Sequence, residues 1–260
     1  MGASNFLTNM WNIFLENWPS YLTGTRNTIL ISIIGTIIGL GIGVLVGIMR
    51  TFPQSKTPWK AGLQKVINAL LGFYIAIFRG TPMIVQAMVF YYGSAIVLGW
   101  DMKPMTAAFI IVSINTGAYM AEVVRGGINS IDRGQFEGAK SVGMSHWQTM
   151  REIVLPQVFR NIMPSVANEF VINIKDTSVL NVISVNELFF TSNTIASTNY
   201  RFFETFLVTA IIYFILTWIV TTIIGRLEKN LGGSDDYEMV EIELGSSHHQ
   251  IPSTGKAGDQ

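Results

Sequence analysis

The sequence predicts an all-α integral membrane protein with five transmembrane helices, and three observations carry that reading. Of 260 residues 49% are hydrophobic and only 13% charged, and the mean hydropathy is +0.40. Soluble domains carry about 25% charged residues. The stretch Asn27 to Met49, "NTILISIIGTIIGLGIGVLVGIM", runs 23 residues without a charge between Arg26 and Arg50. At about 1.5 Å per residue it is long enough for a hydrocarbon core of about 30 Å. Finally, the cations collect in alternate connections, the signature of a chain that crosses repeatedly.

Residues 1–22 form a polar and aromatic lead-in, with Trp11 and Trp18 as interfacial anchors. The first span is too long for a signal peptide and lacks a small-residue cleavage site, so the N-terminus is retained. Within it Gly35, Gly39, Gly43 and Gly47 recur every fourth residue. That stripe lets another helix approach closely and predicts packing, not a ligand. The run Val66–Phe78 is short for a span and reads as an interfacial or bundle-packed helix. Thr81–Gly99, Met105–Val124, roughly Pro164–Leu188 and Phe206–Gly225 complete the five spans, giving a transmembrane domain over 23–230. Residues 231–260 are acidic, Gly/Ser-bearing and poor in large apolar residues, which predicts a disordered tail. His248 and His249 are solvated tail residues in this reading, too few to make a metal site.

Orientation follows from the cations. Arg50, Lys56, Lys60, Lys65 and Arg79 fill one connection; Arg125, Arg133, Lys140, Arg151 and Arg160 another; Arg226 and Lys229 follow the last span. The positive-inside rule makes these cytoplasmic, with the N-terminus outside and the C-terminus inside. A net charge of zero gives no nucleic-acid footprint. The absence of cysteine, of a phosphate-binding Gly-x-x-x-x-Gly-Lys-Ser/Thr loop and of His-Glu-x-x-His spacing leaves no catalytic, metal or cofactor motif in the chain.

Glu169, Lys175 and Asp176 fall inside the fourth span, where each charge costs roughly 2.5 to 3.5 kcal/mol on insertion scales. On a helix Glu169, Asn173 and Asp176 share one face, and Lys175 lies about 100° from Asp176. A zwitterionic amino acid offers an ammonium for a carboxylate and a carboxylate for a lysine, with Thr177 and Ser178 adding hydroxyls. Alternatively these charges pair with neighbouring helices or reach water at the cytoplasmic face. Glu122 either pairs with Arg125, three residues on along its helix, or lines a pocket. Arg79 anchors or caps at the inner surface, or serves as a gate.

Between the third and fourth spans, "EGAKSVGMSHWQTMREIVLPQ" from Glu137 to Gln157 reads as a short helix, a glycine turn and a second helix. Trp147, Met150, Ile153 and Val154 form an apolar face that lies against the bundle, Pro156 disturbs the helix end, and His146 is a surface residue of the turn. Glu137, Gly138, Ala139, Gly143, Ile153, Leu155 and Pro156 match six of seven positions in Glu-Ala-Ala, three residues, Gly, nine residues, Ile, any residue, Leu-Pro; the departure is Gly138. This resembles the cytoplasmic signature of permease subunits of bacterial ATP-binding-cassette importers. "FRGTPMIVQ" from Phe78, "GAYMAEVVRGGINSI" from Gly117 and "IKDTSVL" from Ile174 are similar to the polar amino acid uptake branch, the resemblance covering roughly Leu22 to Leu231.

The resemblance implies a five-helix subunit in the bacterial cytoplasmic membrane that pairs with an identical or sister permease. Two cytoplasmic ATPase subunits would supply ATP and Mg, and an extracytoplasmic binding protein would deliver the substrate. The loop 125–160 would carry the coupling helix, with Glu137, Gly138, Ala139 and Gly143 at the ATPase contact. Glu137 either meets a cation on the ATPase or caps its own helix. Asn115, Tyr119 and Glu122 are retained as pocket residues. A stand-alone ion-coupled carrier or channel and a non-transporting scaffold are the competing classes, and the loop signature argues against both.

Overall fold

The computed structural model describes residues 3–230, with side chains from Phe6 to Arg226. The expected disordered tail 231–260, with His248 and His249, lies outside the described residues. The first helix, α1 (Ala3–Thr51), continues through Pro19 without interruption, so the lead-in and the first span are one rod. α4 (Pro104–Asn129) packs along it as the most extensive helix pairing of the fold. The glycine stripe makes that possible: Gly35, Gly39, Gly43 and Gly47 face Val112, Thr116, Met120 and Val124 in turn, and with no side chain between them the two backbones meet.

In chain order α1 and α4 are separated by α2 (Pro58–Gly80) and α3 (Met83–Leu98). Val66–Phe78, expected as an interfacial or bundle-packed helix, is part of a 23-residue helix apolar and long enough to cross a membrane; Pro58 at its first turn starts it well upstream of the apolar run. The expected span Thr81–Gly99 is a 16-residue helix, about 24 Å long. The two join at an elbow, Thr81 and Pro82 being extended. α2 packs Leu71 and Tyr74 near Ala121, while α3 packs Ala87 in one cluster with Ala107, Ala108 and Ile111. The pair therefore follows α4 along successive halves of its length.

After α4, the helix α5 (Arg133–Ser141) is capped by Asp132, whose side chain accepts from Gly134 N at 2.6 Å. Gly143 then turns the chain at φ +79°, with Met144 N donating to Ala139 O and Gly143 N to Lys140 O. This is a Schellman ending, whose left-handed position suits glycine. Ser145 and Gln148 form a capping box for α6 (His146–Thr149). Pro156 does not end the second helix: one π-helical turn, Met150–Val154, absorbs its missing donor, and α7 (Leu155–Asp176) continues.

α7 does not reach Leu188 as one helix. It tightens into a 3₁₀ segment, Thr177–Ile183, and turns at Ser184, φ 59°. α8 (Leu188–Asn199) follows, capped by the fully buried Glu187, and α9 (Phe202–Asn230) closes the described chain. By length and composition α1, α2, α4 and α9 each contain a candidate span. Outward residues such as Leu63, Val66, Phe73, Phe214 and Trp218 are exposed, the distribution expected where lipid or a partner helix replaces water.

Candidate functional site

The elbow between α2 and α3 begins with Pro82. Phe78 O would ordinarily accept from the amide four residues on, but Pro82 has none, so a break here leaves carbonyls to be satisfied by side chains. Gln86, buried at 9% exposure, supplies the donors: its Nε2 lies 2.9 Å from Phe78 O, from Thr81 O and from Thr81 Oγ1. Its Oε1 accepts from Asn115 Nδ2 on α4 at 2.9 Å. One turn further along α4, the Arg79 guanidinium sits over the Tyr119 ring, 5.4 Å from its centroid. Asn115 and Tyr119 are thus brought together with Arg79. Arg79 sits in the last turn of α2, and its contact with Tyr119 places it beside the middle of α4. Gln86 escaped the sequence reading. The signal was a proline four residues after Phe78 and a lone amide four residues after that proline.

The α7 face divides. Asn173 is buried and donates to Thr36 Oγ1 of α1 (2.9 Å) and Thr116 Oγ1 of α4 (3.0 Å), so it clamps three helices together. Glu169 is half-buried, and Lys175 and Asp176 are exposed on the subunit surface. None of the three enters a salt bridge among the described residues. Thr177 is buried and donates to Ile174 O; Ser178 is half-buried.

Glu122 follows the ion-pair alternative twice over. Its carboxylate takes Arg125 Nη2 at 2.6 Å and Nε at 3.0 Å, and Arg50 Nη1 at 2.5 Å. The pair with Arg125 stays within α4, and the pair with Arg50 ties α4 to the end of α1.

In the loop, Glu137, Gly138 and Gly143 are exposed, and a Cβ at either glycine would meet nothing within 4 Å. Ala139 is 3% exposed and packs inward. Asp132 rather than Glu137 caps α5, which leaves the Glu137 carboxylate outward. The inward stripe is Met150, Val154, Val158 and Ile162, every fourth residue through the π turn. Trp147, expected on that face, is 56% exposed, because the widened turn rotates the preceding residues off it. His146 is no plain surface residue: its ring lies 5.1 Å from that of Phe52, its Nε2 is buried without a partner, and burial pushes its imidazole below the ordinary value.

A family model described as binding-protein-dependent transport system inner membrane component matches residues 59–233. The glutamine transport system permease protein GlnP of Escherichia coli K12 is 35% identical over 223 residues, 85% of this chain and 97% of GlnP. The arginine transport system permease protein ArtQ of Bacillus subtilis is 31% identical over 217 residues, 84% of this chain and 94% of ArtQ. Among solved structures, an amino acid ABC transporter crystallised with histidines superposes with a TM-score of 0.73 at 31% identity, covering 84% of this chain and 96% of that one. The inward-facing MetNI methionine ABC transporter shares the fold, with a TM-score of 0.69 at 16% identity.

Proposed function

The chain belongs to the family of binding-protein-dependent transport system inner membrane components, and from that premise we propose that it is the permease subunit of an ATP-driven importer of polar amino acids, working by alternating access. The observation that carries the substrate class is the set of groups of both signs that α7 presents without salt bridges among the described residues: the half-buried Glu169 and the exposed Lys175 and Asp176. Asn115 and Tyr119 join them on the adjacent α4, with Thr177 and Ser178 at the end of α7. Carboxylates receive an α-ammonium or a basic side chain, and Lys175 receives the α-carboxylate. The permease relatives named for glutamine and arginine support the same class.

The subunit crosses the membrane five times in this reading. α2 and α3 make one broken crossing alongside α4, with irregular backbone at membrane depth only where protein satisfies it. The N-terminus lies outside and the C-terminus in the cytoplasm. A second permease, identical or homologous, completes the pathway, and an extracytoplasmic binding protein delivers the substrate. Two ATPase subunits holding ATP and Mg dock on the loop 125–160. Glu137, Gly138 and Gly143 form the contact there, and Ala139 anchors it from within. Glu122, held by two arginines, fixes the inner ends of α1 and α4 and not the ligand.

The test is uptake of labelled glutamine and arginine per assembled complex in Glu169→Gln and Lys175→Met. The expected loss is at least tenfold per complex, the scale of a missing charged hydrogen bond of about 1.5–3 kcal/mol. Unchanged uptake per complex with reduced assembly would remove these residues from the pathway and make them packing groups.

A further inference from the structure

Gln86 satisfies the carbonyls of the elbow, and its hydrogen bonds have a direction. Phe78 O and Thr81 O can only accept, so the group 2.9 Å from both is the NH₂ end of Gln86. Thr81 reinforces this, because its hydroxyl hydrogen is committed to Ile77 O at 2.8 Å, leaving Thr81 Oγ1 as an acceptor for Gln86. With its nitrogen held at the elbow, Gln86 presents Oε1 to α4. Asn115 must answer with its own NH₂, which sits 2.9 Å from Gln86 Oε1 and 3.3 Å from Phe78 O. Both Asn115 hydrogens are then committed, and its Oδ1 accepts no hydrogen bond among the described residues.

We infer that Gln86 is a positioning residue that sets the amide orientation of Asn115, so that the subunit offers the translocated ligand a hydrogen-bond acceptor there and not a donor. The ligand group that fits is an N–H donor, an α-ammonium or a side-chain amide or guanidinium. Arg79, one turn along α4 over Tyr119, supplies the opposite polarity for a carboxylate. The helix break thereby serves as a polarity filter: the carbonyls freed by Pro82 fix Gln86, Gln86 fixes Asn115, and Asn115 selects donors. A side chain present only to satisfy the freed carbonyls would stabilise the elbow without acting through Asn115.

This inference rests on the reading of Asn115 as a pathway residue, and a double-mutant cycle separates the two. The complete transporter, permease with its ATPase and binding protein, is reconstituted with wild-type, Gln86→Leu, Asn115→Ala and the double variant, and labelled glutamine uptake is measured per assembled complex. Asn115→Ala is expected to lose about tenfold, as for one hydrogen bond to a charged donor. Gln86→Leu is expected to lose a comparable factor, and the double variant no more than Asn115→Ala alone, since Gln86 has nothing left to orient. Wild-type uptake in Asn115→Ala overturns the pathway reading itself. A loss in Asn115→Ala with multiplying losses in the double variant, or with no loss in Gln86→Leu, overturns the role of Gln86 alone. Should Gln86→Leu fail to assemble, Gln86→Met, closer in length to glutamine and equally unable to orient Asn115, is read in the same cycle against the same outcomes.

Discussion

Replacing Gly43 by leucine is expected to abolish assembly of the membrane domain, while the same change at Gly41 leaves it intact. A Cβ at Gly43 would stand 2.7 Å from the carbonyl carbon of Met120 and 2.9 Å from the nitrogen of Ala121. These are backbone atoms of α4, and a helix cannot withdraw them without separating along its length. Overpacking a core typically costs about 1–3 kcal/mol; here the obstruction is main chain, in the most extensive pairing of the fold, so the expected cost is at the top of that range or above. Gly41 lies two residues away on the open side of α1, where a Cβ meets nothing within 4 Å. Yield of monodisperse protein in detergent and its thermal unfolding midpoint check both variants. Equal behaviour of the two would mean that α1 and α4 do not meet through the glycine stripe.

Glu122→Gln is the second large expected effect, and its character matters as much as its size. The wild-type carboxylate satisfies two guanidiniums with three hydrogen bonds. Glutamine keeps the shape but removes the charge, leaving Arg50 and Arg125 to repel each other. The Arg125 side chain is 40% exposed, so water offsets part of the loss, and about 1–2 kcal/mol is the expected destabilisation. That lowers the amount of assembled complex several-fold while uptake per complex stays within about twofold of wild type. A tenfold fall per complex at normal assembly would put Glu122 back among the ligand contacts.

The parts of this fold legible in the sequence are those set by local pattern. Twenty-three uncharged residues announce a span, and glycines at every fourth position announce a close helix pair. Gly143 between two short helical segments announces a turn, and its positive φ is the reason that glycine suits the place. What escaped depends on which helices become neighbours. Between Lys65 and Arg79 the apolar run Val66–Phe78 is too short for a crossing, whereas Pro58 starts the helix and the chain continues past the elbow into α3. Ordinary helical spacing puts Trp147 on the packed face, and the π turn before Pro156 changes that spacing. Within the candidate site, the charges of α7 stand out in the sequence through the insertion cost of the expected fourth span. That Asn173 on the same face is a clamp, and Glu122 a two-arginine node, required Thr36, Thr116 and Arg50, residues 57 to 137 positions distant in the chain. Glu187, fully buried and bonded to Phe189 N, Phe190 N and the Tyr213 hydroxyl, falls at the very end of the expected fourth span, and nothing local in the sequence names those partners.

The most direct measurement of the central claim is uptake of labelled glutamine and arginine into vesicles containing the permease with its ATPase, with ATP, the extracytoplasmic binding protein and the ion gradient each withdrawn in turn. An importer permease gives uptake that disappears without ATP or without the binding protein and persists when the ion gradient is collapsed. Uptake by the permease alone, driven by an ion gradient and indifferent to ATP and binding protein, would contradict the account and make the chain a stand-alone carrier.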